Sequence, residues 1–174
     1  MCTNELEINV KTIAIVQARM GSTRLPGKII KPIGALPLYQ IVYNRVASSK
    51  LVDEVVFATT KNRSDDKFCN ELIQKGIRFH RGSETDVLSR YKETADIFDA
   101  STIVRITCDD PFKDPNIIDQ CLSLMQIEKA EFSSNIIEKT FPEGLDVECM
   151  SKSLLNTLSV KSQHYYQREH VTPY

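Results

Sequence analysis

The chain has 174 residues, with 22 Lys and Arg against 23 Asp and Glu, a net charge of −1 and 41% hydrophobic residues. A chain of this length reads as one domain that can bury roughly 70% of its unfolded surface without disulfide or metal staples. Its near-neutral charge argues against a nucleic-acid partner, whose footprint on a protein is strongly basic, and no apolar run approaches the length of a membrane span. The opening residues, MCTNELEINVK, lack the basic and apolar regions of a secretory leader. The five cysteines, Cys2, Cys69, Cys108, Cys121 and Cys149, are odd in number with no C-x-x-C spacing, and read as reduced thiols of a cytoplasmic protein.

Strand and helix patterns alternate along the chain. Strands are expected at 12–17, 53–59, 77–80, 102–107, 131–136 and 145–149, and helices at 37–49, 64–75, 85–98, 115–128 and 151–162. Pro37 suits a first helical turn. Ser64, followed by Asp65 and Asp66, reads as a helix N-cap with acids that favour the dipole. Gly76 stands where a left-handed helix terminus is expected, and Phe68, Leu72 and Ile73 fall on one helical face. Such alternation predicts an α/β fold: a doubly wound, mostly parallel sheet.

The most informative stretch is 12–28, TIAIVQARMGSTRLPGK. Ile13 to Val16 form an apolar run of the kind a parallel sheet buries on both faces. A loop carrying Arg19, Gly21, Ser22, Thr23, Arg24, Gly27 and Lys28 follows at once. A loop at the carboxyl end of the first strand of such a sheet is where these folds hold ligands. Glycines let backbone N–H groups approach phosphate oxygens, and cations offset their charge. The spacing is not that of a P-loop: Gly21 to Gly27 is one residue too long, and Ile29 stands where Ser or Thr should follow Lys28. Nor is it the dinucleotide pattern of three glycines. Further on, the strand at 102–107 leads into Asp109 and Asp110 before Pro111, which sets hard carboxylate oxygens on the ligand rim, suited to Mg²⁺. If 145–149 is a strand, Asp146 and Glu148 point to one side.

QARMGSTRLPGK, with 81–91 (RGSETDVLSRY), 105–111 (RITCDDP), 141–148 (FPEGLDVE) and 168–174 (REHVTPY), resembles the sugar cytidylyltransferases. The resemblance is greatest to the spore coat polysaccharide biosynthesis type, related to the 3-deoxy-manno-octulosonate and N-acylneuraminate cytidylyltransferases. It implies a Rossmann-like nucleotidyltransferase fold of the glycosyltransferase-A type, CTP and an acidic sugar as substrates, Mg²⁺ as cofactor, and a homodimer as the assembly. For the site it implies Arg24, Lys28 and Asp109 as catalytic. The nucleotide would be bound by Ala18, Arg19, Gly21, Ser22, Thr23, Arg24, Lys28, Thr59, Ser83, Asp86 and Arg105. Asp146, Glu148 and His170 would meet the sugar, and Asp109 with Asp146 the metal. Relatives continue beyond the segment that matches Thr172-Pro173-Tyr174 and carry there an aspartate that supplies a second metal ligand. The expectation is therefore a single domain over 1–174 without that segment, either with Asp146 in the missing role or without catalysis. Two rival readings stand beside this one: an enzyme using another nucleotide, and a non-catalytic nucleotide-binding protein.

Overall fold

A computed structural model describes residues 10–138 and 140–174; Cys2 and the expected lack of a leader lie outside the described residues. The apolar run becomes β1 (Thr12–Gln17), and a short hairpin of β2 (Pro32–Ile33) and β3 (Leu36–Pro37) leads to α1 (Leu38–Val46). Then come β4 (Glu54–Thr60), α2 (Asp66–Gln74), β5 (Phe79–Gly82), α3 (Val87–Ile97), β6 (Thr102–Thr107) and α4 (Pro115–Ile127). The chain continues with β7 (Phe132–Ser134), β8 (Glu148–Ser151), α5 (Lys152–Lys161) and α6 (Tyr165–His170).

The main sheet has the order β5-β4-β1-β6-β8-β7. Its first four strands run parallel, β8 returns antiparallel to β6, and β7 is antiparallel to β8. The expected doubly wound, mostly parallel α/β fold is present. Alternation along the central strands explains it. Ala14 and Val16 of β1, with Phe57 and Val104, pack under α1, α2 and α4. Ile13 and Ile15, with Val56 and Ile103, pack under α3 and α5. All eight are wholly buried, and each large aliphatic contributes about 1.5–3 kcal/mol by leaving water.

Several local expectations shift. The N-cap of the short 3₁₀ turn before α2 is Asn62, whose side chain accepts from the Ser64 N–H at 3.0 Å, and Asp65 turns inward instead of facing solvent. The buried face of α2 is Phe68, Cys69 and Leu72; Ile73, assigned to it from spacing, is 64% exposed. Gly76 does follow α2 with φ +66°. The final strand begins at Glu148, three residues later than expected, which leaves Asp146 in the preceding loop. Neither the β2–β3 hairpin nor α6 was expected from the sequence pattern.

Candidate active site

The loop leaving β1 is folded on itself. The Met20 carbonyl accepts from the N–H groups of Ser22 and Gly27, each at 2.9 Å. Gly27 sits at φ +69°, a region that a side chain would strain, and opens the 3₁₀ turn Lys28–Ile30. That turn buries Ile29 and leaves Lys28 at the rim. From below, the buried Asp65 carboxylate accepts from the Met20 N–H at 2.7 Å. It also accepts from the Thr60 N–H and the Thr59 hydroxyl, each at 3.1 Å, and from the Thr60 hydroxyl. Asp65 thus ties the loop after β1 to the end of β4.

Above the carboxyl ends of the parallel strands lies a cavity of about 400 Å³. Ala18, Arg19, Ser22, Thr23, Arg24 and Lys28 form one wall, as expected of a phosphate loop. Gly21 belongs to the same loop, exposed and outside the lining. Lys28 Nζ donates to Asp109 Oδ2 at 2.6 Å, so the loop cation and the aspartate after β6 meet at the rim. Burial opposes ionisation of Asp109, but the hydrogen bond and charge of Lys28 outweigh it and hold the carboxyl below its ordinary value.

The paired aspartates part company. Asp110 accepts from the Thr107 hydroxyl at 2.7 Å and from Lys113 Nζ at 3.0 Å. Lys113 is wholly buried and also donates to the Asp146 carbonyl at 2.7 Å. Asp110 and Lys113 therefore join the loop after β6 to the one before β8, while Asp109 faces the cavity. Cys108 lies between, on the cavity wall; burial first, then the Asp109 carboxylate, pushes its thiol far above the ordinary range. It is a poor nucleophile.

Five expected site residues lie elsewhere. Thr59 is fully buried and held by Asp65, because the end of β4 is roofed by the loop after β1. The Ser83 hydroxyl accepts from the Asp86 N–H at 3.0 Å, shaping the turn into α3 rather than lining the cavity. Asp86 caps α3 through the Ser89 N–H at 2.9 Å and pairs with Arg168 Nη2 at 2.6 Å. Asp146 is exposed in its loop and outside the lining. Glu148 is buried, paired with Arg105 across the β6–β8 register and accepting from the Thr172 hydroxyl at 2.6 Å. It orients Arg105, which does line the cavity, instead of reaching the ligand itself. Asp86→Ala should therefore read as lost stability, about 1–2 kcal/mol for the cap in urea denaturation, and not as lost binding of inorganic triphosphate; a selective binding defect would restore the ligand role.

On the opposite wall the sequence reading reached the segment 81–91 and His170, but not Glu84, Arg90, Tyr165 or Glu169 individually. Glu84 and Thr85 enter from the β5–α3 connection, and Val87 and Arg90 from α3. Tyr165, Glu169 and the expected His170 come from α6, where His170 packs on Tyr166 at 4.5 Å between ring centroids. The available signal was Tyr166 and His170, two rings four residues apart in a polar tail, a spacing that stacks them on one helical face.

The donor set bears on Mg²⁺. The described residues contain no group of three or more His, Cys, Asp and Glu poised around one point. Mg²⁺ in nucleotide sites takes one or two carboxylates and completes its shell with phosphate oxygens and water. Asp109, ionised and open to the cavity, fits that requirement.

The family model described as "Cytidylyltransferase" matches residues 13–174. The chain is 34% identical over 165 residues to the spore coat polysaccharide biosynthesis protein SpsF of Bacillus subtilis, covering 92% of this chain and 68% of that one. It is 37% identical over 113 residues to a 3-deoxy-manno-octulosonate cytidylyltransferase of Geobacter sulfurreducens, covering 63% and 43%. A solved cytidylyltransferase from Leptospira borgpetersenii superposes with a TM-score of 0.89 at 37% identity, covering 95% of this chain and 70% of that one. No helix among the described residues is long and apolar enough to cross a membrane. With residues 13–174 matched by the family model and the fold shared with a solved cytidylyltransferase, the chain belongs to the cytidylyltransferase family of nucleotidyltransferase enzymes.

Proposed function

We propose that the chain transfers the cytidylyl group of CTP to a hydroxyl of an acidic sugar, for surface polysaccharide synthesis. The observation that carries this reading is the Lys28–Asp109 pair at the mouth of a cavity walled by Arg19 and Arg24. A triphosphate brings about four negative charges that must be matched once water is excluded. Arg24 can grip phosphate oxygens with two donors, while Lys28 supplies a mobile point charge. The names of the SpsF and octulosonate relatives support an acidic sugar from polysaccharide metabolism.

In the reaction, an oxygen of the sugar attacks the α-phosphorus; that P–O bond forms as the bond to the β-phosphate breaks. Pyrophosphate leaves with the electron pair, and the hydroxyl proton passes to solvent. Such a transfer is mostly positioning and charge stabilisation. Lys28 and Arg24 hold the phosphates in line, and His170 with Tyr165 on α6 offers donors to the sugar. Asp109 would hold Mg²⁺, which when bound offsets charge on the phosphate oxygens.

Calorimetric titration with CTP, UTP, ATP and GTP, with and without Mg²⁺, followed by pyrophosphate release on a panel of acidic sugars, tests the reading. Selective, Mg²⁺-dependent binding of CTP with release is expected. Preference for another nucleotide, or no nucleotide binding, overturns it.

A further inference from the structure

Arg105 and Glu148 stand directly opposite each other on β6 and β8, and their side chains are 14% and 5% exposed. Arg105 Nη1 donates to Glu148 Oε2. The other carboxylate oxygen, Oε1, accepts from the Thr172 hydroxyl at 2.6 Å. One oxygen of this buried group is thus engaged by the neighbouring strand and the other by the segment that follows α6. Thr172 comes directly after Val171, which is wholly buried at φ +74°. The guanidinium is braced on a second side. Its Cζ lies 6.0 Å from the centre of the Tyr91 ring. The Tyr91 hydroxyl is itself fixed, shared between the carbonyls of Ile15 at 3.2 Å and Ile106 at 3.1 Å.

Arg105 also lines the cavity, and its buried Nε has no partner among the described residues. A guanidinium carries five donors in one plane and no acceptor, so holding one nitrogen on Glu148 sets the direction of the rest. A buried donor left unmatched is costly until an acceptor arrives. Neither Glu148 nor Thr172 lines the cavity, so neither acts by touching a ligand. Resting on the cytidylyltransferase reading above, we infer that Thr172 and Glu148 are positioning residues: through them the segment after α6 holds the Arg105 guanidinium toward an oxyanion of the substrate. That oxyanion is a phosphate of the nucleotide or the carboxylate of an acidic sugar. Both present the paired oxygens that a planar donor group recognises. The α6 wall and Arg105 are then set together, because the stretch that carries Tyr165, Glu169 and His170 into the cavity ends on Glu148.

A double-mutant cycle tests this, with CTP affinity read by calorimetry and the KM for an acidic sugar read by pyrophosphate release. Arg105→Lys keeps a cation on Glu148 but lacks the planar fork. It should weaken one ligand about tenfold or more: CTP if the oxyanion is a phosphate, the sugar alone if it is the carboxylate. Thr172→Val removes the hydroxyl at nearly constant shape and should weaken the same ligand about three- to tenfold; Thr172→Ser should keep wild-type binding. Because Thr172 acts through Arg105, Thr172→Val should add less than about twofold in the Arg105→Lys background. An equal loss in both backgrounds overturns the inference, as does lower stability in urea with both ligands unaffected. So does an Arg105→Lys chain that handles both ligands as the wild type does. If Arg105→Lys does not fold, Thr172→Val against Thr172→Ser decides: binding kept by serine and lost by valine supports the inference, and equal effects overturn it. A wild-type chain that binds no CTP overturns the cytidylyltransferase reading and the inference with it. One that binds CTP but turns over no acidic sugar leaves CTP affinity as the deciding measurement, and unchanged affinity in Arg105→Lys then overturns the inference.

Discussion

Lys28→Ala should weaken CTP binding by more than the tenfold that corresponds to about 1.4 kcal/mol, and slow pyrophosphate release about 10²- to 10³-fold. Two effects act in the same direction. The substitution removes the point charge nearest the phosphates, and it leaves the Asp109 carboxylate, now without its 2.6 Å partner, facing an incoming polyanion. The carboxyl titration supplies an independent readout. In the wild-type chain Asp109 lies below its ordinary value because Lys28 outweighs burial. Its contribution to stability is therefore present above the unfolded carboxylate value and lost as pH falls through the depressed one. In Lys28→Ala the Asp109 resonance should titrate at higher pH, and the acid-side loss of stability should shrink. Unchanged CTP affinity would remove the phosphate-loop assignment.

Asp65→Ala should be the most damaging substitution in the site for folding. Its carboxylate accepts from four donors: the Met20 and Thr60 N–H groups and the hydroxyls of Thr59 and Thr60. Buried donors left without acceptors cost about 1–3 kcal/mol each, and rotation of the hydroxyls and entry of water recover part of that. A net loss of about 3–5 kcal/mol is expected, or about 10 °C in melting temperature for a chain of this size. Because Met20 carries the fold of the phosphate loop, triphosphate affinity should also fall at temperatures where the variant remains folded. Asp65→Asn keeps one acceptor and should lose about half as much. A loss under about 1 kcal/mol, measured by urea denaturation, would show that the loop is held by something other than this carboxylate.

What the sequence disclosed was what local pattern determines. Ile13 to Val16 announced a strand buried on both faces, and the structure divides those side chains between the two helical layers. The cations after it, read as a phosphate loop, do line one cavity wall. Failures came where an acidic side chain serves a partner distant in sequence. Asp65 looked like an acid favouring a helix dipole because Ser64-Asp65-Asp66 is a local signature, whereas three of its four donors come from the two threonines ahead of it and the fourth from residue 20. Glu148 looked like a ligand because the resemblance put its segment at the sugar and a strand from 145 would set it on one side with Asp146. Its position in the apolar run Val147 to Met150 was the clue that it is buried and needs a cation, which β6 supplies as Arg105. Ile73 illustrates a smaller error: Phe68, Cys69 and Leu72 suffice to bury α2, and the helix turns Ile73 to solvent.

One residue beyond α6 connects the second core to the cavity. Val171 holds φ +74° with no side-chain exposure, although it is β-branched. Such a backbone costs on the order of 1–3 kcal/mol, and here it coexists with a side chain fully buried in the core under α3 and α5. Apolar burial of a valine is of the same order, so the two nearly offset. The segment bearing Tyr165, Glu169 and His170 is thus a sprung panel, latched at its far end by one aliphatic side chain and along its length by Arg168 on Asp86. Its rest position is set by the packing of the α3 layer, so changes deep in that layer should be felt at the α6 wall of the cavity without touching the loop after β1.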